Sequence, residues 1–149
     1  MKKILIPVDS SEYSKRAVEQ GKAMATTFGS DVVLLHVVAR RVDSPRFSSI
    51  PNVKPVVDPA DPIVEHEKQG AEKLLKEYKE YFAGLKGKVE TIVLYGYVAD
   101  EIINYLDTKD VDFVIMGFHG IGSAVYPNLL SSVTSKVLHH AHKPVLVVK

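Results

Sequence analysis

Two unbroken apolar runs, Lys3 to Val8 (KILIPV) and Asp31 to Val38 (DVVLLHVV), separated by a stretch with helical periodicity, constrain this chain more than any other feature. Both runs are β-branched and bounded by polar turns, the pattern of strands covered on both faces. Strands of that kind belong in the interior of a parallel sheet, and consecutive parallel strands need a crossover between them. Ala17, Gly21, Met24, Ala25 and Phe28 recur at helical spacing, with Ser10 or Ser11 as cap and Gly29 as terminator. The opening is one βαβ unit.

The pattern repeats to the end of the chain. Arg40 to Pro62 holds five of the eight prolines and few periodic apolar positions, and reads as a long, partly extended excursion. Asp61-Pro62 then supplies a cap and a first-turn proline for a second helix, with Ala71, Leu74, Leu75, Tyr78, Phe82 and Leu85 as its stripe and Gly84 and Gly87 as its close. Val89 to Tyr95 alternates, with Glu90 opposing the apolar set, as an outer, half-exposed strand does. A short helix follows, with Ala99, Ile102, Ile103 and Leu106 facing the sheet and Asp100 and Glu101 in the first turn. Asp112 to Met116 is a buried strand. Val133, Val137, Leu138 and Ala141 form a fourth helical stripe, and Pro144 precedes a last strand, VLVV. Five strands strictly alternating with four helices imply a doubly wound, three-layer α/β domain with right-handed crossovers, one domain over residues 1–149.

Composition narrows the function classes. A chain of 149 residues can bury roughly 68–70% of its unfolded surface and needs no covalent staple. Cysteine is absent, which removes disulfides, thiolate nucleophiles and cysteine-based metal sites and agrees with a cytoplasmic location. No apolar run approaches the ~18 residues of a membrane span, and a net charge of +1 gives no general attraction to nucleic acid. There is no G-x-S-x-G elbow, no G-x-x-x-x-G-K-S/T loop and no dinucleotide glycine fingerprint after the first strand. No base–nucleophile or carboxylate pair can be assigned, so the expectation is a protein that is not an enzyme.

In doubly wound sheets ligands bind beyond the carboxyl ends of the strands, where strand order reverses. Two loops qualify: Pro7-Val8-Asp9-Ser10 after the first strand and Gly117-Phe118-His119-Gly120 after the fourth. Glycines let backbone approach a ligand, and the helix opening at Ser131 and Ser132 offers free N–H groups and hydroxyls to an anion. From Gly117 to Ser135 there is no lysine or arginine, so a triphosphate would meet backbone, hydroxyls, His119 and a bound Mg²⁺. Asp9 can reach a ligand or cap the first helix. His119 can contact a phosphate, though a loop histidine more often faces solvent. His139, His140 and His142 resemble a metal cluster, yet the first two are adjacent and point apart, and histidine in a helix's last turn is favourable without metal. No metal site is expected there.

ILIPVDSSEYSKRAV, LLHVV, VIMGFHG and SSVTSKVLHHAHKPVLVVK, in that order and spanning nearly the whole chain, resemble the universal stress protein family. The resemblance implies a flavodoxin-like sheet of the adenine nucleotide alpha hydrolase type, in the order 3-2-1-4-5. It also implies ATP or a related adenine nucleotide as ligand, with Mg²⁺, and a homodimer joined through the C-terminal strand, Val145 to Val148. Nucleotide-binding members carry G-x-x-G, nine residues, then G-S or G-T. Gly117 and Gly120 match the first pair, Met116 precedes them, and Ser132-Val133-Thr134 matches the end. The run from Ile121 to Leu130 is one residue longer than the pattern, and Ser131 stands where it has glycine. At positive φ that serine would cost roughly 1–2 kcal/mol. The resemblance further implies roles for Asp9 at a ribose or adenine edge, for the Val37 backbone at adenine, and for Gly96 as a place of close ribose approach. If the crevice is idle, with Tyr126 or Leu129 filling it, the same sequence describes a dimeric interaction protein that binds no nucleotide.

Overall fold

The computed structural model of the chain describes residues 2–39, 58–120 and 130–149. Among them nine elements alternate: β1 (Lys3–Pro7), α1 (Glu12–Phe28), β2 (Asp31–Ala39), α2 (Pro62–Glu80), β3 (Val89–Gly96), α3 (Val98–Thr108), β4 (Phe113–Gly117), α4 (Ser132–His140) and β5 (Val145–Val148). All strand pairings are parallel, in one sheet of order β3-β2-β1-β4-β5. The expected doubly wound fold and strand order are therefore present. The excursion after β2 lies largely outside the described residues, at 40–57.

Side-chain alternation divides the unbroken runs between two cores. Ile4, Ile6, Val8, Val32 and Leu34 pack on one face with Ala17, Val18 and Ala25 of α1 and Leu75 and Tyr78 of α2. Leu5, Val33, Leu35, Val37 and Met116 pack on the other with Ala99, Ile102 and Leu106 of α3 and Val137 of α4. Both faces of β1 and β2 are thus removed from water, which is why neither strand shows a polar alternation. Gly21 lets α1 lie flat on β1, because a Cβ there would collide with the Ile6 side chain. β3 and β5 are the sheet edges.

The element ends follow local chemistry. The Ser11 hydroxyl caps α1 by accepting from the Ser14 N–H, and Gly29 ends it at φ 65°. Asp61 caps α2 by accepting from the Ile63 N–H, with Pro62 in the first turn. That helix stops at Glu80, earlier than its glycines suggest, and a turn carries the chain to Gly84 at φ 83°. At the N-terminal end of the sheet the Asp112 carboxylate accepts from the Lys2 and Lys3 backbone N–H groups at 2.8 and 2.9 Å. Those two bonds hold its carboxyl below the usual carboxylate value.

Candidate functional site

β2 outruns its neighbour β1, and this opens the site. Pro7 at the end of β1 pairs with Leu35, whereas β2 continues to Ala39 alongside β3. Successive residues of a strand point their backbone groups to alternate sides, and the Leu35 carbonyl still points toward β1, where it accepts from the Val8 N–H at 2.8 Å. Two residues on, the Val37 N–H and C=O face the same side, where β1 has ended. β4 closes the gap from the other flank. The result is a crevice of 730 Å³ at the point where strand order reverses, within the range of roughly 300–1,000 Å³ typical of small-molecule sites.

Pro7, Val8, Asp9, Val37, Met116, Gly117, His119, Gly120, Ser131, Ser132, Val133 and Thr134 all line it. Gly96 does not. It ends β3 at φ 153°, a backbone conformation that L side chains rarely adopt, with the Glu101 side chain beside it.

At the β1–α1 corner Asp9 is not the cap of α1, which is Ser11, but braces that cap and stays in the crevice wall. Its Oδ1 accepts from the Ser11 N–H and the Ser14 hydroxyl, each at 2.8 Å, while its own N–H donates to Ser14 Oγ at 2.9 Å. Its backbone carbonyl accepts from the Tyr78 hydroxyl at 2.9 Å. Tyr78 is 7% exposed, and burial, followed by the Asp9 charge, pushes its phenol up to about 12.

The β4–α4 corner departs from expectation at several residues. Gly117 makes room for protein: a Cβ there would lie 2.8–3.0 Å from Tyr13 Cβ, C and O in α1. A Cβ at Gly120 would come 2.9 Å from Asp9 Oδ2, so the two corners touch. Ser131 sits at φ −60°, ψ 150°, ordinary extended backbone, and carries no left-handed strain in the glycine's place. Its hydroxyl donates to Thr134 Oγ1 at 2.8 Å and accepts from the Thr134 N–H at 3.1 Å, and Thr134 Oγ1 passes its own proton to the Gly117 carbonyl at 2.9 Å. The Ser131 proton is therefore spent within the protein. Ser132, exposed at the first helical position, is the serine that can offer a hydroxyl and N–H to an anion.

His119 is not the solvent-facing loop residue its position suggests. It is 5% exposed and lies between aromatic rings, 5.0 Å from Tyr13 and 4.6 Å from Phe118, edge-on to both. Those rings carry cations that a local count misses: the Arg16 guanidinium is 5.2 Å from the Tyr13 centroid and Lys149 Nζ is 5.0 Å from that of Phe118. Both cations come from outside the loop, Arg16 from α1 and Lys149 from beyond β5. In the last turn of α4, His139 and His140 donate Nδ1–H to the Ser135 and Lys136 carbonyls at 2.7 and 2.9 Å. Among the described residues no three His, Asp or Glu side chains converge as a metal ligand set.

Ser14, His36 and Glu67 also line the crevice and were not singled out from the sequence. Glu67 leaves a trace there, as a carboxylate on the stripe Val64, Ala71, Leu75 and Tyr78 that α2 buries. His36 interrupts the apolar run of β2; because a carbonyl only accepts, its Nδ1 donates to the Val8 carbonyl, at 2.8 Å. Tyr126 and Leu129 lie outside the described residues.

Comparison with known proteins gives a family and a set of relatives. A family model described as "Universal stress protein family" matches residues 1–149. A universal stress protein of Methanocaldococcus jannaschii is 35% identical, the match covering 99% of this chain and 94% of that one. The solved structure of that relative has a TM-score of 0.79 at 32% identity, covering 99% and 95% of the two chains. Two more distant structures share the fold. The universal stress protein of Archaeoglobus fulgidus in complex with dAMP has a TM-score of 0.69 at 18% identity over 100% and 98% of the chains. An Arabidopsis thaliana family protein with AMP bound has a TM-score of 0.69 at 20% identity over 100% and 92%.

Proposed function

The chain belongs to the universal stress protein family, and from that premise we propose that it binds an adenine nucleotide in the crevice between β1 and β4. One observation carries the reading. The crevice joins an open strand edge at Val37 and a fixed carboxylate at Asp9 to a helix N-terminus at Ser132. The first two suit the hydrogen-bonding edges of adenosine; the last suits an anion. Relatives of the same fold hold dAMP and AMP, which supports the same ligand class here.

In this arrangement the Val37 N–H and C=O read the adenine edge, and Pro7, Val8, Met116 and Val133 supply apolar walls. Asp9 accepts from the ribose or the adenine amine. Gly117, His119 and Gly120 border the phosphates, while Ser132 and the α4 N-terminus donate to them, with Ser131 and Thr134 holding that terminus in place. If Mg²⁺ accompanies ATP, phosphate oxygens and water supply most of its ligands, because Asp9 Oδ1 already accepts two hydrogen bonds. The role is regulatory and cytoplasmic, a nucleotide-dependent change in the surface offered to a partner, with no catalytic step. A homodimer through β5 belongs to the same reading: β5 is an apolar sheet edge, half-buried along Val145 to Val148, of the kind that recruits another strand. Sedimentation as a monomer at micromolar concentration would remove the dimer.

Calorimetric titration with AMP, ADP and ATP, with and without Mg²⁺, tests the ligand, and Ser132→Glu is the variant of choice. A carboxylate in a helix's first turn is favourable for the helix but repels phosphate. ATP binding should fall at least tenfold while thermal stability holds. Gly117→Val would be uninformative, since its side chain strikes α1. No heat from wild type up to millimolar nucleotide would favour the second reading, a dimeric interaction protein whose apolar β5 edge is its working surface.

A further inference from the structure

We infer that His36 and Tyr78 are positioning residues for Asp9, fixing the two peptide planes on either side of it and so presetting the carboxylate for the ligand. The inference rests on the nucleotide reading and adds to it two residues from separate elements.

The strand pairing of β1 with β2 ends at the Val8 N–H, which donates to the Leu35 carbonyl, and the chain then turns at once into α1. The Val8–Asp9 peptide plane is held at both ends: the Val8 carbonyl accepts from His36 Nδ1 at 2.8 Å, and the Asp9 N–H donates to Ser14 Oγ at 2.9 Å. The Asp9–Ser10 plane is held by Tyr78, whose hydroxyl donates to the Asp9 carbonyl at 2.9 Å. With both planes fixed, φ and ψ of Asp9 are fixed, and the Cα–Cβ bond has one direction. Ser11 N–H and the Ser14 hydroxyl then take Oδ1, and Oδ2 lies against Gly120 of the opposite corner. Rotational freedom that a ligand would otherwise have to remove is already gone, which favours binding. His36 reaches across from β2 and Tyr78 from α2, so the setting depends on the packed domain and not on the loop alone.

The test is a double-mutant cycle on the full chain, read by AMP titration, with thermal unfolding followed separately. Tyr78→Phe removes one oxygen from a ring that stays packed, and His36→Leu removes the ring donor. Each should weaken AMP binding about five- to tenfold. Neither should weaken it further on an Asp9→Asn background, because the pathway runs through that carboxylate. His36→Asn, whose amide can stand in for Nδ1–H, should recover part of the loss. Lowered melting temperature with wild-type affinity would make both residues purely structural and overturn the inference. Equal losses with and without Asp9 would also overturn it. Absence of AMP, ADP and ATP binding by wild type would instead defeat the nucleotide reading itself. If His36→Leu does not fold, the Tyr78→Phe cycle decides alone.

Discussion

The two strand-to-helix corners of the crevice solve the same problem differently. Both end in a serine cap, Ser11 accepting from the Ser14 N–H and Ser131 from the Thr134 N–H. The β1–α1 corner spans residues 8–11 and is held from outside, by His36 of β2 and Tyr78 of α2. The β4–α4 corner spans residues 118–131; its described ends are tied to each other, with Thr134 Oγ1 donating to the Gly117 carbonyl and the Ser131 N–H to the Phe118 carbonyl, and the Phe118 N–H donates to the Val148 carbonyl of β5. The short corner adds side-chain donors from β2 and α2 to its own Asp9–Ser11–Ser14 bonds. The longer one joins its two described ends through the Ser131 and Thr134 hydroxyls and adds one backbone bond to β5.

The largest effect that can break this contrast is Gly117→Val. Its side chain would press on the Tyr13 main chain, which cannot swing aside, so α1 and β4 must separate. We expect about 3 kcal/mol lost in chemical denaturation. Gly120→Ala is the milder counterpart: its one close contact is a side-chain oxygen and not main chain, and it should cost about 1 kcal/mol, less than Gly117→Val. Thr134→Val comes next, leaving the Gly117 carbonyl without its donor, at a cost of about 1–3 kcal/mol. That corresponds to a melting shift of about 2–12 °C for a domain of this size.

A pH experiment sharpens the comparison from the other side. The Tyr78 phenol ionises near 12 in the fold and near 10.0 in the unfolded chain. The unfolded chain therefore loses its proton first, and stability present below pH 10 declines as pH rises toward 12. Tyr78→Phe should remove that component of the alkaline decline, and Thr134→Val should leave it unchanged. The smallest effect belongs to Asp112→Asn at the far end of the sheet. Because the Asp112 carboxyl is held low, its stabilisation is present at neutral pH and lost as pH falls through its folded value. Acid unfolding of the variant should begin closer to neutrality without altering either corner.

Much of the site was legible because its residues carry local marks. Asp9 follows an apolar run, Gly117 and Gly120 follow another, and the serines precede a helical stripe. What those marks meant was less legible: glycine at 117 relieves a contact with the α1 main chain, and glycine at 96 holds φ 153° outside the crevice lining, features that no spacing rule reports. His119 reads as exposed because loops are, and is buried because Tyr13 and Phe118 enclose it.

The sequence by itself determined the alternation of elements, the burial of both faces of β1 and β2, and the family, because apolar periodicity and capping are written within a few residues of where they act. Tertiary structure decided how the site residues meet and which others, His36 and Glu67 among them, join them in the crevice wall. Its far edge exists because β2, paired with β1 from Asp31 to Leu35, continues past it to Ala39, and only the pairing places that overhang beside the β1–α1 corner. Its carboxylate is set by donors 28 and 69 positions away from the carbonyls they hold. Hydrogen bonds and charge act through space over a few ångströms, and only the closed sheet brings such distant residues within that reach.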